Sequence, residues 1–266
     1  MSTVRRFNRY ELKYLLPAAR AEAIMADLRE MTEPDSHGGE DGYRVVSLYY
    51  DSPGLDFFWA KIEGIKFRRK LRLRVYPGPG GVESIRSGMV EIKQRINRTV
   101  QKRRLELPLD EAERLCAGIL PERDLDELDR LAASEVAYMV HAMHLAPACI
   151  TTYQRKAFVG GRYDLGLRIT FDTDCGGRAH ALQVNQEAQN HLFLSPDWCI
   201  MEVKVNDSVP DWVTSLLARH ACQLRRVSKY CAVLARARDI RVMPLAIWPA
   251  SGESAPAAPT GDPCHG

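Results

Sequence analysis

Residues 65–76 alternate with a period of two. Lys66, Arg68, Lys70, Arg72 and Arg74 fall on one side, and Ile65, Phe67, Leu71, Leu73 and Val75 on the other, interrupted only by Arg69. A period of two belongs to a β-strand, where successive side chains point to opposite faces. The same division recurs along the chain. Glu91, Lys93 and Arg95 oppose Val90, Ile92 and Ile96; Glu202 and Lys204 oppose Met201, Val203 and Val205; Arg168 and Asp172 oppose Leu167, Ile169 and Phe171. Near the N-terminus Arg9, Glu11 and Lys13 oppose Tyr10, Leu12 and Tyr14, and Tyr153 and Arg155 share a face further on.

Two architectures give this pattern. One is a half-exposed antiparallel sheet with ion pairs on its wet face. The other is a closed sheet whose charged face is the lumen. The charged faces come from strands scattered over the whole chain, not from one hairpin. The helices between them are amphipathic and need an apolar surface, which places them outside. The expected fold is therefore α+β, an antiparallel barrel tunnel with helices packed around it. In such a lumen, neighbours such as Arg72 and Arg74 repel unless an anion lies between them, so a polyanion is the natural ligand.

The rest of the chain sets bounds. Net charge is only +3 over 266 residues, so any basic site must come from arrangement rather than totals. The seven cysteines include no CxxC pair and sit mostly among apolar residues, as buried thiols of a reducing compartment would. No run is apolar enough for a signal core or a membrane span, which predicts a soluble, cytoplasmic protein. Helices are expected at about 17–31, 56–62, 110–116, 124–143, 209–222 and 229–238, with Ser228 as an N-cap. Residues 1–240 read as one domain. Residues 241–266, rich in Pro, Ala and Gly, read as a disordered tail. Neither a GxxxxGK[ST] loop nor a kinase motif set is present, and no histidine shows ligand spacing.

Seven short motifs, in order, carry a family resemblance: RYELKY at 9–14, RLRVY at 72–76, VEIK at 90–93, TYQRKAF at 152–158, LRITFD at 167–172, MEVK at 201–204 and SKY at 228–230. The set resembles the VTC domain, the polyphosphate polymerase branch of the triphosphate tunnel metalloenzymes, over about residues 5–238. The resemblance implies that Lys13, Arg72, Arg74, Lys93, Arg155, Arg168 and Lys229 contact phosphates as the catalytic set. It further implies substrate contacts from Tyr153, Ser228, Arg9 and Lys204, with Glu202 holding Mn²⁺ or Mg²⁺. The substrates would be ATP and inorganic polyphosphate, with the γ-phosphate passed to the chain. Nucleic acid is not expected. The chain has no membrane segment of its own, which leaves room for a membrane-protein partner.

One departure bears on activity. Tunnel triphosphatases and CYTH cyclases typically open with ExExK, whereas Arg9 gives this chain RxExK. Losing that carboxylate weakens a second metal site and water activation, which favours transfer to phosphate. The alternatives are a tripolyphosphate or nucleoside triphosphate hydrolase, and a polyphosphate-binding protein without turnover.

Overall fold

The computed structural model describes residues 10–35, 38, 41–97, 99–162, 164–206 and 208–240. Arg9 and the tail at 241–266 lie outside the described residues. In chain order the elements are β1 (Tyr10–Pro17), α1 (Ala18–Arg29), β2 (Thr32–Pro34), β3 (Tyr43–Asp51), α2 (Asp56–Ile62), β4 (Phe67–Val75), β5 (Ser87–Ile96) and β6 (Thr99–Pro108). There follow α3 (Leu109–Cys116), α4 (Glu127–Met143), β7 (Ala146–Gly160), β8 (Arg168–Arg178), β9 (His191–Leu192), β10 (Trp198–Val205), α5 (Asp211–Arg219) and α6 (Lys229–Ala237).

Local chemistry sets the helix ends. Pro17 precedes the first turn of α1, where a fixed φ of −57° costs nothing. The Asp126 carboxylate accepts from the Asp129 amide at the start of α4. Gly118, at φ +89°, turns the chain after α3; a Cβ there would lie 2.6 Å from the His141 ring.

The strands form one antiparallel sheet in the order β1-β10-β8-β7-β3-β4-β5-β6, with β2 added to β7 and β9 to β8. Register places the charged residues of successive strands side by side: Lys13 opposite Glu202, Arg155 opposite Asp172, Arg72 opposite Tyr49 and Glu91, and Lys70 opposite Lys93. The sheet curls so far that Lys93 of β5 donates to both oxygens of Glu11 on β1 at 2.7 Å. The charged face is therefore concave, and it is the lumen. The expected antiparallel tunnel is present, but its hydrogen-bond ladder is not closed, because β1 and β6 remain separate edges. The edge of β1 is met by residues 224–225, where the Arg225 amide donates to the Lys13 carbonyl at 2.8 Å and Leu224 bridges Tyr14, and the Lys93–Glu11 ion pair spans the remaining interval.

The helices divide between the two faces. α3 and α4 pack on outward residues of β3–β6, such as Leu48, Leu73, Ile92 and Leu105. α1 and α5 cover Tyr14, Ile169, Met201 and Val203. α6 departs from the expected outside position. Its Tyr230, Val233 and Leu234 pack with Val45, Tyr49, Cys149, Tyr153 and Ile200, which belong to the concave face. It fits there because those inward positions are apolar or aromatic. α2 straddles the rim, with Phe57 in the outer cluster and Phe58 against α6.

Three strands differ from what the sequence shows: alternation marks a strand only over 166–173, and it marks neither β2 nor β9. β8 runs on to Arg178, through a register shift opposite residues 152–154 and through Gly176 and Gly177. The glycines permit a close approach rather than a break, since a Cβ at Gly177 would sit 2.3 Å from the Ile150 carbonyl oxygen. β2 and β9 are too short to carry a readable period.

Candidate functional site

The lumen is built from the inward positions of the long strands plus the first turn of α6. At one wall Glu202 of β10 gathers three ammonium groups: Lys13 at 3.0 Å, Lys229 at 3.2 Å and Lys204 at 2.8 Å. Beside it Asp172 of β8 takes Arg155 through two bonds of 2.6 and 2.7 Å, and Lys229 at 2.6 Å. The ring of Tyr153 lies under both Arg155 and Lys229, at 5.0 and 4.7 Å from its centroid. Ser228 caps α6, which aims Lys229 into this cluster while its hydroxyl oxygen accepts from the Cys231 amide and from Lys70.

The facing wall centres on Glu91 of β5. It takes Arg72 at 2.5 Å, Arg104 at 2.8 Å and Lys102. Burial raises the Glu91 carboxyl, but Arg72, Lys102, Arg74 and Arg104 outweigh it and hold the group well below the usual carboxylate range. Glu202 is held down in the same way, mainly by Lys13, Lys204 and Lys229 against burial. Both stay ionised throughout the neutral range.

Two cations of the lumen make no direct ion pair among the described residues. Arg74 is 6% exposed, yet its contacts are hydroxyls: Ser47 at 3.1 Å and Tyr153 at 3.1 Å. Lys70 donates to Ser228 at 3.2 Å and otherwise meets the rings of Tyr49 and Tyr230. Among the described residues no carboxylate lies at ion-pair distance from either. Beside them Tyr49 accepts from Arg72 at 3.0 Å. Burial raises its phenol, but Arg72, Arg74 and Lys70 bring it down to about 8. Burial lowers the Lys204 ammonium to about 8, with Glu202 only partly offsetting the effect. Cations outnumber carboxylates across the lumen, so the site as folded is short of negative charge.

The structure thus brings Lys13, Arg72, Arg74, Lys93, Arg155, Lys204, Lys229, Tyr153, Ser228 and Glu202 to one concave face. Arg168 stands apart at the rim, held by Asp35 and donating to the Tyr43 hydroxyl at 2.9 Å. Arg9 falls outside the described residues. Lys93 has Glu11 as its partner, the ion pair that sequence alternation also allows. Tyr153 and Ser228, expected to meet phosphate oxygens, here accept from Arg74 and Lys70.

Sequence reasoning missed Lys70, Tyr49, Lys102 and Arg104 as members of the site. The signal for Lys70 was available, since it shares the face of Arg72 and Arg74. Tyr49 gives no such signal, because it sits in an apolar strand and reads as core.

Glu202 was expected to hold a divalent metal. Among the described residues no group of three or more His, Cys, Asp or Glu could hold an ion. Each Glu202 oxygen already faces a lysine. Glu202 and Glu11 fit a hard cation only in company with phosphate, which would supply most of the oxygen ligands and offset the surrounding charge.

A family model described as "VTC domain" matches residues 8–238. No curated protein matches the chain in sequence. Among solved structures, a putative adenylate cyclase from Vibrio parahaemolyticus is 13% identical, with 84% of this chain and 96% of that chain covered and a TM-score of 0.45. A putative adenylate cyclase from Bacillus halodurans is 11% identical, covering 83% and 95%, with a TM-score of 0.47. A putative adenylyl cyclase from Hippeastrum, described as having a dominant triphosphatase activity, is 14% identical, covering 89% and 98%, with a TM-score of 0.45.

Proposed function

Because this chain belongs to the VTC domain family, we propose that it is a polyphosphate polymerase, passing the γ-phosphoryl group of ATP to a condensed phosphate chain held in the lumen. The observation that carries the reading is the pair of cations without a direct ion pair, Arg74 and Lys70, on a concave basic face. The Arg74 guanidinium spends only two of its donors, both on neutral hydroxyls, and gains a charge-assisted bond when a phosphate oxygen arrives.

The residues divide the work. Arg72, Arg74 and Lys70 line one wall and Arg155, Lys13, Lys204 and Lys229 the other, so a row of phosphates between them is neutralised from both sides. Arg supplies planar, paired donors and Lys a movable point charge. Glu91, Glu202 and Asp172 keep Arg72, Arg155 and Lys229 charged and oriented before phosphate binds. An ionised oxygen at the end of the phosphate chain attacks the γ-phosphorus. The bond from that phosphorus to the β–γ bridging oxygen breaks, ADP leaves with the electron pair, and the chain gains one phosphate. Such a transfer needs positioning and charge neutralisation and no covalent enzyme intermediate. Mn²⁺ or Mg²⁺, held by Glu202 and Glu11 together with phosphate, would add positive charge at the transferring group. The setting we assign is the cytoplasm.

Incubation with ATP and Mn²⁺, followed by gel analysis of products, tests the reading. A ladder of long phosphate chains, absent in Glu202→Ala, is the expected result. Release of single phosphate alone would make the protein a hydrolase. Chain binding with no consumption of ATP would make it a binder.

A further inference from the structure

Beyond the lumen lies another basic feature. A cavity of about 240 Å³ is lined by Lys61 of α2, Lys66, Arg68 of β4, Arg95 of β5, Arg226 and Ser228. Among the described residues, its guanidinium groups meet only carbonyl oxygens: Arg68 donates to Ile65 at 2.6 Å and Arg95 to Asn97 at 2.8 Å. Among the same residues no carboxylate lies at ion-pair distance from any of these five cations, and none lines the cavity. Such a gathering of like charge opposes its own formation unless an anion shares it.

The cavity adjoins the tunnel at the start of α6. Ser228 lines it and also accepts from Lys70 inside the lumen. Lys66, Arg68, Lys70, Arg72 and Arg74 form one inward row along a single strand and its approach, so successive cations stand about 6.6 Å apart. The row runs from the cavity through the lumen. It ends at another opening, of about 380 Å³, lined by Arg74, Tyr76, Met89, Arg86 and Glu106. The two ends differ in chemistry. The end at Arg74 carries aromatic and apolar groups and a carboxylate, whereas the charged groups at the Arg68 end are all cations. Burial, together with Lys70 and Arg68, brings the Lys61 ammonium down to about 8, as expected of an ammonium crowded by other cations.

We propose that the cavity at Lys61, Arg68, Arg95 and Arg226 is an outer subsite for a condensed phosphate chain, holding the part that extends beyond the lumen. The proposal rests on the lumen's binding phosphate, and it adds a direction: long chains pass out by this end. Short chains fit within the lumen and do not need the subsite.

The test compares sodium tripolyphosphate with long-chain sodium polyphosphate, each titrated into the full-length protein and into an Arg95→Glu/Arg226→Glu double variant. Both side chains are exposed, so the substitutions leave the packed core untouched. Long-chain affinity is expected to fall at least tenfold and its salt dependence to become shallower. Tripolyphosphate affinity should stay within about threefold, since charges at the mouth are screened over a Debye length of about 10 Å at 0.1 M salt. Unchanged long-chain affinity would overturn the proposal, and so would equal loss for both ligands. Two tripolyphosphate sites in the natural protein and one in the variant would also overturn it, because the cavity would then take free short anions rather than an emerging chain. An absence of ATP turnover would end the polymerase reading while leaving every one of these binding outcomes readable.

Discussion

Arg74 shows how much one buried side chain can say about a ligand. Its guanidinium is held by two hydroxyls and by no carboxylate at ion-pair distance among the described residues. The Arg74→Ala variant should therefore lose charge-assisted bonds of about 1.5–3 kcal/mol to phosphate. Calorimetry with tripolyphosphate should then show at least tenfold weaker binding, and unaltered binding would remove Arg74 from the site. Tyr49 and Lys204 predict the pH dependence. Both titrate at about 8, where Tyr49 gains a negative charge and Lys204 loses a positive one. Each change makes the lumen less positive as pH rises. A bound anion favours neutral Tyr49 and charged Lys204, so affinity should be full below pH 8 and decline above it. Titrations at pH 7 and pH 9 check this, with Tyr49→Phe expected to flatten the profile. Lys70 and Tyr49 illustrate the limits of reading single positions. Alternation places Lys70 with the other strand cations, whereas Tyr49 reads as apolar core, and only the fold brings its hydroxyl to accept from Arg72.

At the scale of elements, α6 and the β3–α2 junction hold the concave side together. Asp51, at the end of β3, accepts from the amides of Ser52, Phe57 and Phe58 and from the Tyr230 hydroxyl. It fixes the start of α2 and ties it to α6. Removing the carboxylate in Asp51→Ala strands several buried donors, each worth about 1–3 kcal/mol. Chemical denaturation should show a loss of several kcal/mol, with Asp51→Asn losing less because one oxygen remains. Helix positions were readable from the sequence: α2 was expected at its observed bounds, and Ser228 caps α6 as anticipated. The side of the sheet that α6 takes was not readable. Amphipathicity says that a helix must cover an apolar surface, but not which of two faces offers one.

For the whole molecule, the seam beside β1 is held by the backbone of residues 224–225 and by one ion pair between strands. Among the described residues β1 and β6 share no hydrogen-bond ladder, and Lys93 and Glu11 meet across the interval at 2.7 Å. The Lys93→Ala variant should loosen this seam. Amides of β1 should exchange hydrogen faster than in the natural protein, while the β7–β8 ladder stays protected; unchanged β1 exchange would show that the pair does not hold the seam. Among the described residues no helix is long and apolar enough to cross a membrane, which agrees with the sequence on that point.

The sequence by itself determined the long strands and, where they alternate, which side of each is charged, and so most of the residues able to line a passage. Period-two alternation carries that information because strand geometry is local. Tertiary structure alone decided which charges neutralise one another and which are left over. Glu202 is claimed by three lysines and Glu91 by two arginines and a lysine, whereas Arg74 and Lys70 meet no carboxylate at ion-pair distance among the described residues. That distribution follows from the curl of the sheet and the entry of α6, which bring together residues from opposite ends of the chain. Pairing energies depend on separations in space, and no local pattern encodes them.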